Sequence, residues 1–383
     1  MLDLNNLQVE ISKVDISGMI LSMSILESIE GTVHGSFMVK DNINFYDTFI
    51  GHIQPEINMK ITYLGCTCFC SFVGDGISDM KITKLGKEYA IHFISWPTMN
   101  MAINKICQTY NGTSDKILTN LWLEAIGHQF PLSVDTKAIT KGKYIVPNIN
   151  SGKAIQNVVD NAYDEHISPF YLYQRLWEGG LTRFQSLYDM DKNYFYQEEL
   201  IGTNTIKNKF VIKHNIAGSD NKLSSFNTVG SSSKFILENF QRHFAKKISL
   251  GHYGKKISQI KLDQTKVKNI EPKELTDIHV TGYKVSEDLY DNNTKSLFSL
   301  MVDPAMASAK AQKKRMYNQF LRVKDMISVP YLGVGFNVEI DTGGSNISKS
   351  RMDNRYIVAQ INHRFYLNDG KMQYAQDLGL IRE

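Results

Sequence analysis

Residues 23–41 read MSILESIEGTVHGSFMVKD. An alternating apolar run meets a charged corner, and a second alternating run closes on Lys40-Asp41. That is the pattern of two antiparallel strands with one dry and one wet face. The corner carries Glu27, Glu30, His34 and Asp41, which form either a catalytic cluster or the solvated side of a β-meander.

The same pattern extends outward from Leu7 to about Trp96. Ile57, Met59, Ile61 and Tyr63 alternate with Glu56, Asn58, Lys60 and Thr62. Turn signals fall at Asp15 to Gly18, Glu30-Gly31, Gly65, Gly74 to Gly76 and Leu85-Gly86-Lys87. Short strands at this spacing, with no long helix between them, predict a small antiparallel barrel or sandwich over residues 1–98. The character changes at Trp96-Pro97. Met99 to Tyr110 and Thr113 to Gln129 have helical spacing, with Ile117, Leu118, Leu121, Leu123 and Ile126 on an apolar side. After Val146-Pro147, a helix capped by Asn150 or Ser151 carries Ile155, Val158, Val159 and Ala162 on one face. Phe170-Tyr171-Leu172-Tyr173 and Leu181-Thr182-Arg183-Phe184 flank Glu178-Gly179-Gly180 as a β-hairpin, so residues 99–200 form an α+β domain.

Residues 201–248 are again strand-like, with a Ser-rich turn at Gly230-Ser231-Ser232-Ser233, and a Lys-rich, poorly patterned stretch follows. Residues 249–317 are read as an inserted α/β segment ending in a basic helix, Ala307 to Phe320. Its Lys310, Lys313, Lys314 and Arg315 form one charge block. Such a block is a solvated face, a subunit contact or a polyanion contact, the last extending over residues 310–324. Residues 318–383 return to strands and repeat features of the first segment. Phe72 stands 14 residues before Gly86-Lys87, Tyr356 stands 14 before Gly370-Lys371, and Ile77 and Ile361 match in offset. Before each unit lies an alternating strand, Ile57-Met59-Ile61 in one and Phe336-Val338-Ile340 in the other. Two barrels of similar design account for this repetition, the second built from 201–248 and 318–383.

With 42% hydrophobic and 21% charged residues, the 383-residue chain is globular material for several domains. A net charge of +4 is too small for a dedicated polyanion binder. The start, MLDLNNLQVEISKVD, lacks a signal-peptide core, and no stretch approaches the roughly 18 apolar residues of a spanning helix, which predicts a chain made in the cytoplasm and not inserted in a membrane. Three of the four cysteines form Cys66-Thr67-Cys68-Phe69-Cys70, where strand alternation points all three sulfurs to one face. Structural zinc wants paired Cys-x2-Cys clusters and only Cys107 remains, so buried thiols are the reading.

No zinc-protease, phosphate-loop, nucleophile-elbow or dinucleotide motif is present. Glu27 and Glu30 are the one carboxylate pair suited to glycoside cleavage, but both lie where a strand enters a turn and charge serves solubility. Asp164-Glu165-His166 ends a helix, where a histidine suits the helix dipole. His34, His92 and His363 lie inside strand patterns, without ligand spacing. The expectation is no catalytic residue, no cofactor and no metal site. Nineteen Tyr and nineteen Phe fit strand-rich cores and subunit interfaces alike.

The layout of the opening stretch resembles a known family. The strand Ile20 to Leu26, the Glu27-Ser28-Ile29 turn, Gly35 to Asp41, Phe49-Ile50-Gly51 and the strand Glu56 to Tyr63 are similar to the first barrel of the baseplate central hub of contractile-tailed phages. Similar barrels open the valine-glycine repeat proteins of type VI secretion. Two further blocks match: Val146-Pro147-Asn148-Ile149 before the capped helix and aromatic hairpin, and Arg355-Tyr356-Ile357-Val358 through Ile361-Asn362-His363-Arg364-Phe365 to Tyr374-Ala375. The resemblance implies a β-rich α+β fold with two tail-tube-like antiparallel barrels and two additional α+β domains. It implies a virion structural protein of the tail baseplate, assembled in the host cytoplasm as part of a contractile injection system. A homotrimeric ring would meet the tail tube or a tube initiator on one face and a central spike on the other. Double-stranded DNA would pass through its lumen during ejection without specific binding. Because the sequence stops at Leu378-Gly379-Leu380-Ile381-Arg382-Glu383, a separate spike protein is expected. The alternatives are the hub domain of a secretion-type spike, a cell-wall carbohydrate-active β-protein using Glu27 and Glu30, and a nucleic-acid-processing factor using the basic helix.

Overall fold

Alternation becomes strand wherever a partner lies close. Over residues 6–95 the chain forms β1 (Asn6–Ile11), β2 (Ile20–Ser28), β3 (His34–Asp41), β4 (Glu56–Tyr63), β5 (Cys66–Thr83) and β6 (Gly86–Ser95). The computed structural model describes residues 2–3, 6–46, 55–83, 86–201, 204–213, 236–242, 257–260, 267–270, 283–286, 304–341, 354–368 and 370–382. The expected Phe49-Ile50-Gly51 step, the Gly230-Ser231-Ser232-Ser233 turn and most of the Lys-rich stretch lie outside them. In β4, Ile57, Met59, Ile61 and Tyr63 are buried while Glu56 and Asn58 are exposed. The β4–β5 turn is two residues long, Leu64 at φ 51° and Gly65 at φ 79°, the left-handed pair that matches the twist of a tight hairpin. Gly74 to Gly76 is not a turn. It is a bulge inside the 18-residue β5, where glycines let the strand bend without leaving the ladder.

The middle of the chain contains α1 (Trp96–Ile103), β7 (Lys105–Thr113), α2 (Ser114–Ala125), β8 (Leu132–Val134), β9 (Lys141–Asn150), α3 (Ser151–Asn161), β10 (Phe170–Gln174), β11 (Thr182–Ser186) and α4 (Leu187–Lys192). The helix expected from Met99 to Tyr110 ends at Ile103. Residues 105–113 pair instead with β9, a cross-strand ladder that outweighs the local helical spacing. Asn150 caps α3, its Oδ1 accepting from Gly152 N (2.9 Å) and Lys153 N (3.3 Å).

The rest comprises β12 (Val211–Lys213), β13 (Ile236–Arg242), α5 (Pro304–Arg315), β14 (Gln319–Ile327), β15 (Asn337–Asp341), β16 (Asn354–Asn368) and β17 (Lys371–Arg382). Helix α5 stops five residues before the expected Phe320, because Gln319 onward joins the sheet.

Strand order repeats. The first half runs β1-β4-β5-β6-β3-β2 and the second runs β12-β15-β16-β17-β14-β13. In order of appearance both are first, fourth, fifth, sixth, third, second. One ladder differs in sense: β1 and β4 are antiparallel, β12 and β15 parallel. Both long hairpins bulge at the same place, at Asp75 between Gly74 and Gly76 and at Ala359 between Val358 and Gln360. The two halves do not close into separate barrels. β2 pairs with the distal part of β16, from Ser28↔Gln360 to Ser22↔Tyr366, and fuses the twelve strands, with the two-residue strands Leu2–Asp3 and Val14–Asp15, into one open 14-stranded sheet. The edge that would have sealed each half is spent on the other.

The described residues form three apolar cores, two of them on this sheet. One gathers Met23, Ile25, Phe37, Ile57, Tyr89 and Phe93, the second Leu321, Val323, Val338, Tyr356, Ile361 and Leu380. The third packs α2 and α3 against β7, β9 and β10. No helix among the described residues is long and apolar enough to cross a membrane.

Candidate functional site

Residues 170–177 enter all three cores. Phe170 and Leu172 face the third core, Tyr171 and Tyr173 alternate into the second, and Leu176 and Trp177 reach the first. Period-two alternation gives β10 two dry faces. A single eight-residue segment therefore holds the halves in register.

Its polar groups end on Glu27, which is fully buried and not a solvated corner. Leu176 N donates to Glu27 Oε1 at 2.6 Å, Val334 N donates to Oε2 at 3.2 Å, and His363 Nε2 lies 2.9 Å from Oε1. These donors come from the hairpin connection, from the second half and from β16. His363 is also fully buried. Its Nδ1 lies 2.6 Å from the Tyr374 hydroxyl, which accepts from Trp177 Nε1 (3.3 Å) and Gln376 Nε2 (3.1 Å). With both of those donors spoken for, the Tyr374 proton goes to Nδ1 and the Nε2 proton to Glu27. Each group in the chain is satisfied, as burial demands. Burial holds the Tyr374 hydroxyl well above its ordinary pKa and pushes that of Tyr63, packed edge-on against it, up to about 12.

Arg175 completes the junction. It is buried, donates from Nε to Val334 O (2.8 Å) and lies 3.8 Å above the Phe336 ring. Its path requires glycine opposite, since a Cβ at Gly333 would sit 2.6 Å from Arg175 Cδ. Glu178 binds Arg175 Nη1 at 2.9 Å and Arg183 Nε at 2.6 Å. Burial opposes its ionisation, but the two guanidiniums prevail and hold its pKa below the ordinary value. Cys68 and Cys70 cap the same turn, both thiols donating to Leu176 O, at 2.8 and 3.3 Å. The neighbouring Cys68 thiol and burial push Cys70 well above its ordinary pKa.

The corner residues do not meet. Glu30 and His34 are exposed, and Asp41 is buried elsewhere, accepting from the N–H groups of Ile43, Phe45 and Tyr46 and from the Tyr89 hydroxyl. Asp164 folds its own turn, its Oδ1 accepting from His166 N and Ser168 N. Two cations of the charge block on α5, Lys310 and Lys313, are held within the chain. Lys310 donates to Asn161 Oδ1 (2.7 Å) and Lys313 to Asp160 Oδ1 (3.1 Å), docking α5 on the end of α3. The side chains of Lys314 and Arg315 lie outside the described residues. Among the described residues no group of three or more His, Cys, Asp or Glu is placed to hold a metal ion.

The sheet face opposite the first core is wet and lined with small side chains. Ser22, Ser24, Ser36, Ala90, His92 and Arg364 border a shallow cleft of about 390 Å3. Met38, Asp79 and Tyr366 also line it, and its Arg364 is paired, with Nε 2.9 Å from Asp377 Oδ2 and Nη2 3.0 Å from Oδ1.

No family model and no curated protein sequence matches the chain. Solved structures do. The tail protein from Neisseria meningitidis MC58 superposes with a TM-score of 0.55 at 9% identity, over 98% of this chain and 96% of that one. The 43 kDa tail protein of prophage MuSo2 from Shewanella oneidensis gives 0.55 at 9% identity, over 98% of each chain. This chain is a β-rich α+β protein with the fold of these tail proteins.

Proposed function

We propose that the chain is the subunit of a trimeric tail hub, a structural ring that adapts a six-fold tail tube to a three-fold spike and encloses the DNA-ejection channel. The repeated strand order carries this reading. Two equivalent six-strand units in one polypeptide let three chains present six similar edges, which reconciles the two symmetries. In this reading residues 1–98 form one tube-like unit and 201–248 with 318–383 the other, flanked by the 99–200 domain and the 249–317 insertion. The buried junction fixes the angle between the units, so that six edges lie on one circle. The serine-rich wet face is the channel wall, where small side chains and the paired Arg364 and Asp377 let phosphates pass. Glu27 has no catalytic part in this reading, being saturated by donors and closed to solvent.

Light scattering on the purified chain tests the proposal. The expected mass is three times 43.6 kDa, and images of the particles should show a ring with a central hole. A monomer that persists in the presence of tube and spike partners would overturn it.

A further inference from the structure

Resting on the trimeric reading, the internal junction supplies the template for the junction between copies. Inside the chain, the second strand of the first half (β2) pairs with the distal part of the fifth strand of the second half (β16). Its counterpart would join the second strand of the second half, β13, to the distal part of the fifth strand of the first half, β5.

Within one chain, both edges stand open among the described residues. β13 pairs with β14 on one side only. β5 pairs with β4 from Cys66 to Val73, and beyond that only with β6. On β16 the same stretch, residues 360–366, is covered by β2, and Ile361 and Phe365 are buried. On β5 it is bare: Met80 is 41% exposed and Ile82 81%. A strand extension with two large apolar side chains in water is an edge awaiting a partner.

We infer that β13 of one copy adds antiparallel to residues 76–83 of β5 in the next copy. The shared bulges fix the register. Asp75 and Ala359 are equivalent, so Ser78 takes the place of Asn362; past the second bulge of β5, between Ser78 and Lys81, Lys81 takes that of Arg364, Ile82 that of Phe365 and Thr83 that of Tyr366. On the other strand the ladders β2–β3 and β13–β14 equate Leu26 with Gln241 and Ser22 with Ile236. Asn362 faces Leu26 and Tyr366 faces Ser22 within the chain, so Gln241 should face Ser78 and Ile236 should face Thr83 between chains. Arg364 faces Ser24, the counterpart of Glu238, so Glu238 should face Lys81, a residue of opposite charge. Three such joins extend the ladder without a free edge around the circle.

Cysteine trapping tests this in the full chain, with exposed Cys107 replaced by serine. Gln241→Cys with Ser78→Cys should give, on mild oxidation, a covalent trimer on a non-reducing gel. Gln241→Cys with Glu30→Cys, a residue of the same half placed away from that edge, should give none. Glu238→Lys should weaken the trimer several-fold, and adding Lys81→Glu should restore it. Trimers that form but trap in neither Gln241/Ser78 nor Ile236/Thr83 cysteine pairs, and that ignore the charge exchange, would overturn the edge assignment and leave the ring standing. A chain that never trimerises would overturn both.

Discussion

Glu27 is a charge placed where the alternation of β2 calls for an apolar side chain. Met23, Ile25, Glu27 and Ile29 are successive inward positions, and all four are buried. Asp41 does the same after Phe37 and Val39, and His363 between Ile361 and Phe365. Such groups persist only when each is met by hydrogen-bond donors, and removing one partner leaves the others stranded. Glu27→Ala leaves three buried donors unmet and should therefore cost about 3–5 kcal/mol in urea unfolding, at about 1–3 kcal/mol for each donor stranded. Glu27→Gln keeps an acceptor for Leu176 N and should cost less, about 1–3 kcal/mol. Equal, small losses in both would mean that water enters the junction. Acid should act on Asp41 and Glu178. Burial disfavours the ionised form of Asp41, but the N–H groups of Tyr46, Phe45 and Ile43 more than offset it and keep its pKa below the ordinary value. Glu178 is depressed by its arginines in the same direction. A group depressed on folding contributes stability above its unfolded pKa, about 4 for these side chains, and loses it as pH falls through the folded value. Denaturation midpoints should therefore decline from about pH 4 downward, and Asp41→Asn should flatten part of that decline.

At the level of elements, the strands were legible and their partners were not. Ile57, Met59, Ile61 and Tyr63 announce β4 by period alone, and Ile155, Val158 and Val159 announce α3 with its Asn150 cap. Residues 105–113 misled because isolated helical spacing does not reveal a ladder to residues 141–150, which lie far along the chain. Barrel closure misled for a similar reason, since the choice of β2 between its own half and β16 is a tertiary one. The junction left a sequence signal, namely Glu27 and His363 standing in apolar phase, but its partners Leu176 and Val334 meet Glu27 through backbone N–H groups that any residue supplies. The wet face permits a sharper test. Asp377 covers the guanidinium of Arg364 from two sides, so Asp377→Asn should raise the affinity of the assembled ring for duplex DNA and steepen its fall with salt. Fluorescence anisotropy at two salt concentrations reads both. An unchanged affinity with the ring intact would place this face away from the passing DNA.

Across the molecule, residues 170–177 make the three cores interdependent. Tyr171 and Tyr173 lie in the second core, Leu176 and Trp177 in the first, and Phe170 and Leu172 in the third. A chain built of separable units would melt in steps, because each core would open at its own free energy. Here the first half cannot open without exposing Trp177, and Trp177 cannot leave without releasing Tyr374 of β17, to which its Nε1 donates. Scanning calorimetry should show the two halves melting in one transition. Trp177→Ala removes about 3–5 kcal/mol of packing from a large buried side chain. It should also uncouple the halves, so that the first melts at lower temperature than the second. A variant that lowers one undivided transition would instead place the coupling in the continuous sheet, through β2 and β16. That outcome would make the ladder, rather than the eight-residue segment, what sets the angle between the halves, and a ring of three would then owe its geometry to the same β-pairing inside each chain as between chains.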